Sequence, residues 1–121
     1  MLNRVFKAYD VRATVPDPLN EEVAYRIGRG TAELLLAQDG LDTLPESMRH
    51  SIVVGHDMRL TSPSLTEALQ HGMRAQGADV IEVGLVDTPF VPFGVNHLQC
   101  IGGVQTTASH NPANYNGFKI S

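Results

Sequence analysis

Residues 52–84 read IVVGHDMRLTSPSLTEALQHGMRAQGADVIEVG, and this stretch decides the fold. Ile52-Val53-Val54 is a β-branched run stopped at Gly55, the pattern of a strand buried on both faces. A loop follows, Gly55 to Thr61. Ser62-Pro63 then has the form of an N-cap and N1 pair, Leu65, Leu69 and Met73 recur at helical spacing, and Gly77 closes the segment, which predicts a helix. Asp79-Val80-Ile81-Glu82-Val83 is the next strand, stopped at Gly84. Strand, helix and strand in this order predict parallel pairing through a right-handed crossover.

Downstream the alternation continues. Thr88-Pro89 reads as a second N-cap and N1 pair opening a helix to about Leu98, with Pro92 tolerated in its first turn. Ile101 to Gln105 is the third strand of the series, and Gly102 and Gly103 within it imply that something approaches its backbone closely. A strand-like segment, Phe118 to Ser121, ends the sequence. Upstream, Asn20 reads as an N-cap, Glu21 and Glu22 fall in a helix's positive first turn, and Val23, Ile27, Gly30 and Leu34 share a face, with Asp39-Gly40 as the stop. The expectation is an α/β fold whose three parallel strands end on one edge. Ligands of open α/β sheets sit beyond that edge, which here gathers the loops Gly55 to Thr61, Gly84 to Thr88 and Thr106 to Gly117.

A chain of 121 residues with 42% hydrophobic and 18% charged residues suits one domain or a piece of one, and no repeat, low-complexity tract or linker divides it. Cys100 is the single cysteine, so no disulfide forms within the chain. Nine Lys plus Arg against thirteen Asp plus Glu give a net charge of -4, which argues against general nucleic-acid binding. Met1 to Lys7 contains no apolar h-region and no segment has the apolar length of a membrane span, so the expectation is a cytoplasmic protein with no nucleic-acid or membrane partner. Thr88 to Phe118 carries no full charge yet contains Pro89, Pro92 and Pro112, so it is expected to be packed inside or to line a site.

The third loop, TTASHNPANYNG over residues 106–117, is dense in hydroxyls and amides. Its plain reading is a polar surface loop in which Asn-Pro and Asn-Gly pairs make turns. Ser109 beside His110 invites comparison with a serine hydrolase, but adjacent residues in extended chain point apart, and no G-x-S-x-G elbow surrounds Ser109. Gly28-Arg29-Gly30 lies inside a helical pattern and lacks a third glycine, so close helix packing explains it better than dinucleotide binding. His50, His56, His71 and His97 lack paired ligand spacing, which makes a zinc site improbable.

At the third loop the sequence resembles the α-D-phosphohexomutases, the phosphoglucomutase and phosphomannomutase family, whose phosphoserine loop reads T-A-S-H-N-P followed by Y-N-G-x-K. Thr107 to Pro112 and Tyr115 to Lys119 match every stated letter. Phe6 to Arg12, Val54 to Arg59 and Thr88-Pro89 match further segments of the family's first domain in order, and Pro16 to Glu22 is most similar to the bacterial phosphomannomutase/phosphoglucomutase branch. The resemblance implies a three-layer α/β/α sandwich with a mostly parallel, mixed sheet, residues 1–121 being domain I, incomplete at its C-terminus. It implies that Ser109 carries a phosphoryl group, gives it to a hexose monophosphate and takes one back from the reoriented bisphosphate. Arg12, Lys119 and His110 match family positions around the phosphoserine, and Tyr9 matches one near the same place; Tyr9, Arg12 and Lys119 are expected to touch substrate. Asp57 and Arg59 read as a structural pair holding the first loop against the phosphoserine loop, whose frame includes Thr107, Asn111 and Pro112.

Read by themselves, Arg12 is a solvated arginine, Lys119 the outward face of a strand and His110 a loop histidine. The family's Mg2+ takes one phosphoserine oxygen, here that of Ser109, and three aspartates of an Asp-Gly-Asp-x-Asp-Arg segment in a second domain. No such segment occurs in this sequence. The remaining Mg2+ ligands and the sugar- and phosphate-gripping loops are therefore expected from further domains, with a phosphosugar as substrate and glucose 1,6-bisphosphate as activator, and the chain alone is expected to be nearly inactive. Other readings are a non-catalytic fragment or binding module, a serine hydrolase and, within the family, a phosphoglucosamine mutase. Ala13 stands where the family usually has Gly, which would strain the backbone beside Arg12 if a positive φ were needed there.

Overall fold

The computed structural model describes residues 10–108 and 111–121. The elements run β1 (Asp10–Thr14), α1 (Glu21–Leu36), two short 3-10 turns (Leu41–Thr43 and Glu46–Met48), β2 (Ser51–His56), α2 (Ser62–Ala75), β3 (Asp79–Leu85), α3 (Phe90–Leu98), β4 (Gly102–Thr106) and β5 (Tyr115–Ile120). They form a 5-stranded sheet in the order β1-β5-β4-β2-β3. β4, β2 and β3 are parallel, as the crossover pattern predicts. β5 lies between β4 and β1 and is antiparallel to both, so the sheet is mixed.

Strand alternation divides the apolar side chains between two faces. Ile52 and Val54 enter the larger core with Ala32 and Leu35 of α1, Leu65, Leu69 and Met73 of α2, and Val104, Phe118 and Ile120 of the neighbouring strands. Val53 turns the other way, against Val91 of α3 and Cys100. Two helices on one face and one on the other make the three layers. Phe118 is fully buried, which is worth about 2–3 kcal/mol relative to exposure. A Cβ at Gly28 would strike the Leu69 backbone carbonyl of α2, so Gly28 is a helix-packing residue, whereas Gly30 has open space around it. The close approach expected at β4 comes from α3 itself: a Cβ at Gly103 would meet the Val91 and Val95 methyls.

Several boundaries differ from the sequence reading, each for a local reason. Asn20 does cap α1, its side chain accepting from the Val23 amide at 3.0 Å. The helix ends at Leu36, before Asp39-Gly40, because the Gln38 side chain already donates to the Leu35 and Ile101 carbonyls. Ser62 is the first residue of α2 and not its N-cap; its hydroxyl donates to Asp57 at 2.6 Å. α3 starts one residue later than Thr88-Pro89 suggests, since a tight turn from Asp87 to Phe90 precedes it. β5 begins at Tyr115, three residues before Phe118, because Thr14 and Arg12 of β1 pair with Tyr115 and Gly117. Ala13 sits within β1 opposite Asn116 and does not have a positive φ. No described helix is long and apolar enough to cross a membrane.

Candidate functional site

The carboxyl edge of β2, β3 and β4 bears three loops, residues 57–61, 86–89 and 107–114. Their roots are tied by backbone bonds: the Asp57 amide donates to the Thr106 carbonyl at 3.1 Å, the Val86 amide to His56 at 3.0 Å and the Thr107 amide to Gly117 at 2.9 Å. Thr66 of α2 donates to the Thr106 hydroxyl at 2.6 Å, fixing the end of β4 from below.

Asp57 organises the first loop. Its Oδ1 accepts from the Ser62 hydroxyl at 2.6 Å and the Arg59 amide at 3.1 Å, and its Oδ2 lies 3.3 Å from Arg59 Nε. Burial pushes the Asp57 carboxyl up, but hydrogen bonds from Ser62, Thr107 and the Arg59 amide, with the guanidinium charge beside it, together hold it below its ordinary value. Thus Asp57 is an ionised anchor linking the first loop to Thr107 of the third.

Held by that carboxylate, Arg59 reaches into the third loop. Its guanidinium donates to the carbonyls of Pro112 at 2.8 Å, Asn111 at 2.9 Å and Tyr115 at 3.1 Å. These bonds consume the planar fork of donors on backbone oxygens. Asn116 adds a second clamp from the core side of β5: its amide donates to Thr61 at 2.8 Å and Ser62 at 3.0 Å, while its oxygen accepts from the Gly117 amide. Neither Asn116 nor Ser62 carried a clamp role in the sequence reading. The signal was present in the alternation, which puts Asn116 on the same face of β5 as the buried Phe118 and Ile120 and so demands partners for its amide.

Ser109, His110 and Tyr9 lie outside the described residues. The residues flanking the first two are fixed: Ala108 is fully buried, and its carbonyl accepts from the Asn111 amide at 3.0 Å. Arg12 and Lys119 come from neighbouring strands. Arg12 pairs in register with Gly117, two residues before Lys119, so strand alternation sets both on the face opposite Phe118 and Ile120, and both are exposed. Arg12 donates to the Asn111 side chain at 2.8 Å, which brings its cation to the residue that follows His110. The sheet thus gathers Arg12, Asn111, Pro112, Thr107, Asp57 and Arg59 into one connected set, with Lys119 on the adjoining strand. The described residues of the third loop carry no Asp, Glu, Lys or Arg of their own; Arg59 holds their carbonyls, and the exposed cations of Arg12 and Lys119 stand beside them.

Among the described residues, no three His, Cys, Asp or Glu side chains group to hold a metal ion. The donors present therefore do not fit a Mg2+ cage by themselves. A cleft of about 700 Å³ opens at the opposite edge of the sheet, lined by Leu35, Leu41, Leu44, Pro92, Val95 and Ile101 among others, and contains none of the loop residues above.

Comparison with known proteins converges on one family. Residues 3–121 match the family described as phosphoglucomutase/phosphomannomutase, alpha/beta/alpha domain I. A relative from Xanthomonas campestris pv. campestris (strain B100), named "Phosphohexose mutases", is 52% identical over 115 residues, covering 95% of this chain and 23% of the relative. A phosphomannomutase of Escherichia coli is 47% identical with the same coverage of 95% and 23%. The crystal structure of a phosphoglucomutase/phosphomannomutase family protein from Burkholderia thailandensis superposes with a TM-score of 0.79 at 37% identity, over 96% of this chain and 25% of that one. The chain therefore spans about a quarter of the length of these proteins.

Proposed function

Because the chain belongs to the phosphoglucomutase/phosphomannomutase family, of which it is domain I, we propose that it supplies the phosphoserine loop of a phosphohexose mutase, with Ser109 as the phosphoryl carrier. In the forward half-reaction a hydroxyl oxygen of a hexose monophosphate attacks the phosphorus on Ser109, the Oγ–P bond breaks, and the hydroxyl proton passes to a nearby base, for which His110 is the candidate. The hexose bisphosphate then turns end for end, Ser109 Oγ attacks its other phosphoryl group, the bond from that phosphorus to the sugar oxygen breaks, and the sugar oxygen takes the proton back as a hydroxyl. A mannose or glucose phosphate enters and the isomeric phosphate leaves.

The observation that carries this reading is the bracing of the loop on both sides of Ser109 by Arg59 and Asp57, with Arg12 hydrogen-bonded to Asn111 beside it. A phosphoserine brings roughly -1.5 to -2 charges. It is best received where donors and cations are already fixed and carboxylates are neutralised. Asp57, the carboxylate in the first loop, is tied up by Arg59, while Arg12 and Lys119 remain exposed toward incoming anions. Arg12 and Lys119 would hold the phosphoryl oxygens, Tyr9 would line the sugar's path, and Thr107, Asn111 and Pro112 would keep the loop's shape.

The chain by itself is proposed to turn over little. The Mg2+ implied by the family would take one oxygen of the Ser109 phosphate, and its other ligands would come from other domains. In a polypeptide with those domains, Ser109→Ala is expected to cut turnover by orders of magnitude while the fold survives. Near-normal turnover of that variant would remove Ser109 from the mechanism.

A further inference from the structure

Gln105 lies on β4, in register with Gly55 of β2 on one side and Lys119 of β5 on the other. It is 1% exposed, and its side chain sits in a largely apolar layer. Its Oε1, a Val86 methyl and a Val83 methyl converge over Gly55, where a Cβ would come within 2.7, 2.7 and 3.2 Å of them. The Nε2 group donates to the Val86 carbonyl at 2.9 Å. That bond fixes the amide's orientation, since the flipped amide would set two oxygens against each other. The Oε1 is buried and has no hydrogen-bond partner among the described residues.

A buried, unpaired amide oxygen is destabilising, and a methionine of similar shape would fill the space without it. What the glutamine provides is a bond that bypasses β2. It joins the loop after β3 directly to the strand from which residues 107–114 emerge. The Val86 residue is then held at both ends, its amide by the His56 carbonyl and its carbonyl by Gln105. The ladder between β2 and β3 shifts register at the same place, between Val54 and Gly55, and resumes through Gly84 and Leu85, so the glutamine bond spans the irregular step of the ladder.

We propose that Gln105 is a positioning residue that couples the β3–α3 loop, residues 86–89, to the Ser109 loop and keeps the two in fixed relation at the carboxyl edge. The functional meaning of this coupling rests on the phosphoserine reading, whereas the coupling itself does not. It is tested on the chain by NMR. In the unmodified protein, a Gln105 side-chain amide proton is expected to exchange slowly and to show scalar coupling across the hydrogen bond to the Val86 carbonyl carbon. In Gln105→Met the melting temperature is expected to hold or rise, while amide exchange at Val86, Thr107 and Asn111 accelerates about tenfold and their resonances shift. Absence of the coupling overturns the proposal, and so do unchanged loop amides in the variant. A lower melting temperature with all amides accelerating together would make Gln105 a core strut only, which also overturns it. If the variant does not fold, the coupling in the unmodified protein decides. No readout depends on phosphate transfer, so an unphosphorylated Ser109 would count against the mutase reading alone.

Discussion

At the residue scale, one carboxylate and one guanidinium bear most of the site's framework. The Asp57 carboxyl is held below its ordinary value in the folded chain, so the unfolded chain binds its proton more readily. The stability this supplies is present above the unfolded pKa of about 3.9 and is lost as pH falls through the lower folded value. Melting temperatures measured from neutral pH into this acid range should therefore fall more steeply for the unmodified chain than for Asp57→Asn, which starts lower at neutral pH. Equal slopes would remove Asp57 as the acid-sensitive anchor. Arg59→Lys is expected to cost about 2–3 kcal/mol in urea unfolding, because a single ammonium cannot span the three carbonyls and the carboxylate that the guanidinium fork joins. A change within a few tenths of a kcal/mol would mean that those bonds are replaced by water.

At the element scale, the parallel strands and both downstream helices were legible in residues 52–105 because β-branched runs, 3.6-residue spacing and Ser-Pro or Thr-Pro starts agree there. β1 was not, since Asp10–Thr14 is short and pairs, among the described residues, with β5, roughly a hundred residues away in sequence. Missing it also hid the first half of β5, whose Tyr115 to Gly117 look like loop until β1 lies beside them. The motif named Arg59 and Asp57 as a pair; the three carbonyls that Arg59 gathers follow only from the backbone path. Likewise Ser62, read as a cap, became a ligand of Asp57 once the first loop curled over the helix start. Gly28 and Gly30 show the limit of spacing most clearly, since they fall two residues apart on one helix and only Gly28 meets α2. Gly28→Ala should destabilise by about 1–3 kcal/mol, whereas Gly30→Ala should be neutral or stabilising by about 0.5–1 kcal/mol. Similar effects at both positions would contradict the packing of α1 on α2.

At the scale of the whole molecule, the sheet brings strand ends from opposite parts of the sequence to one edge and leaves two cations exposed on β1 and β5, on the same face as α3. Under the proposed function this arrangement suits a phosphorylated serine, and it separates holding from transfer. Arg59 is spent on the backbone, while Arg12 and Lys119 face solvent. Lys119→Ala should accordingly lower phosphoryl transfer in a polypeptide carrying the other domains while shifting stability by no more than about 0.5 kcal/mol. A fall in stability that accounts for the lost transfer would make Lys119 a structural residue. The most direct measurement is phosphopeptide mass spectrometry on protein bearing this sequence, purified from cells that make it naturally and incubated with a hexose 1,6-bisphosphate. A phosphate ester on Ser109 that passes to added hexose monophosphate is the expected result; a Ser109 that stays unmodified throughout would leave the proposed mechanism without its phosphoryl carrier.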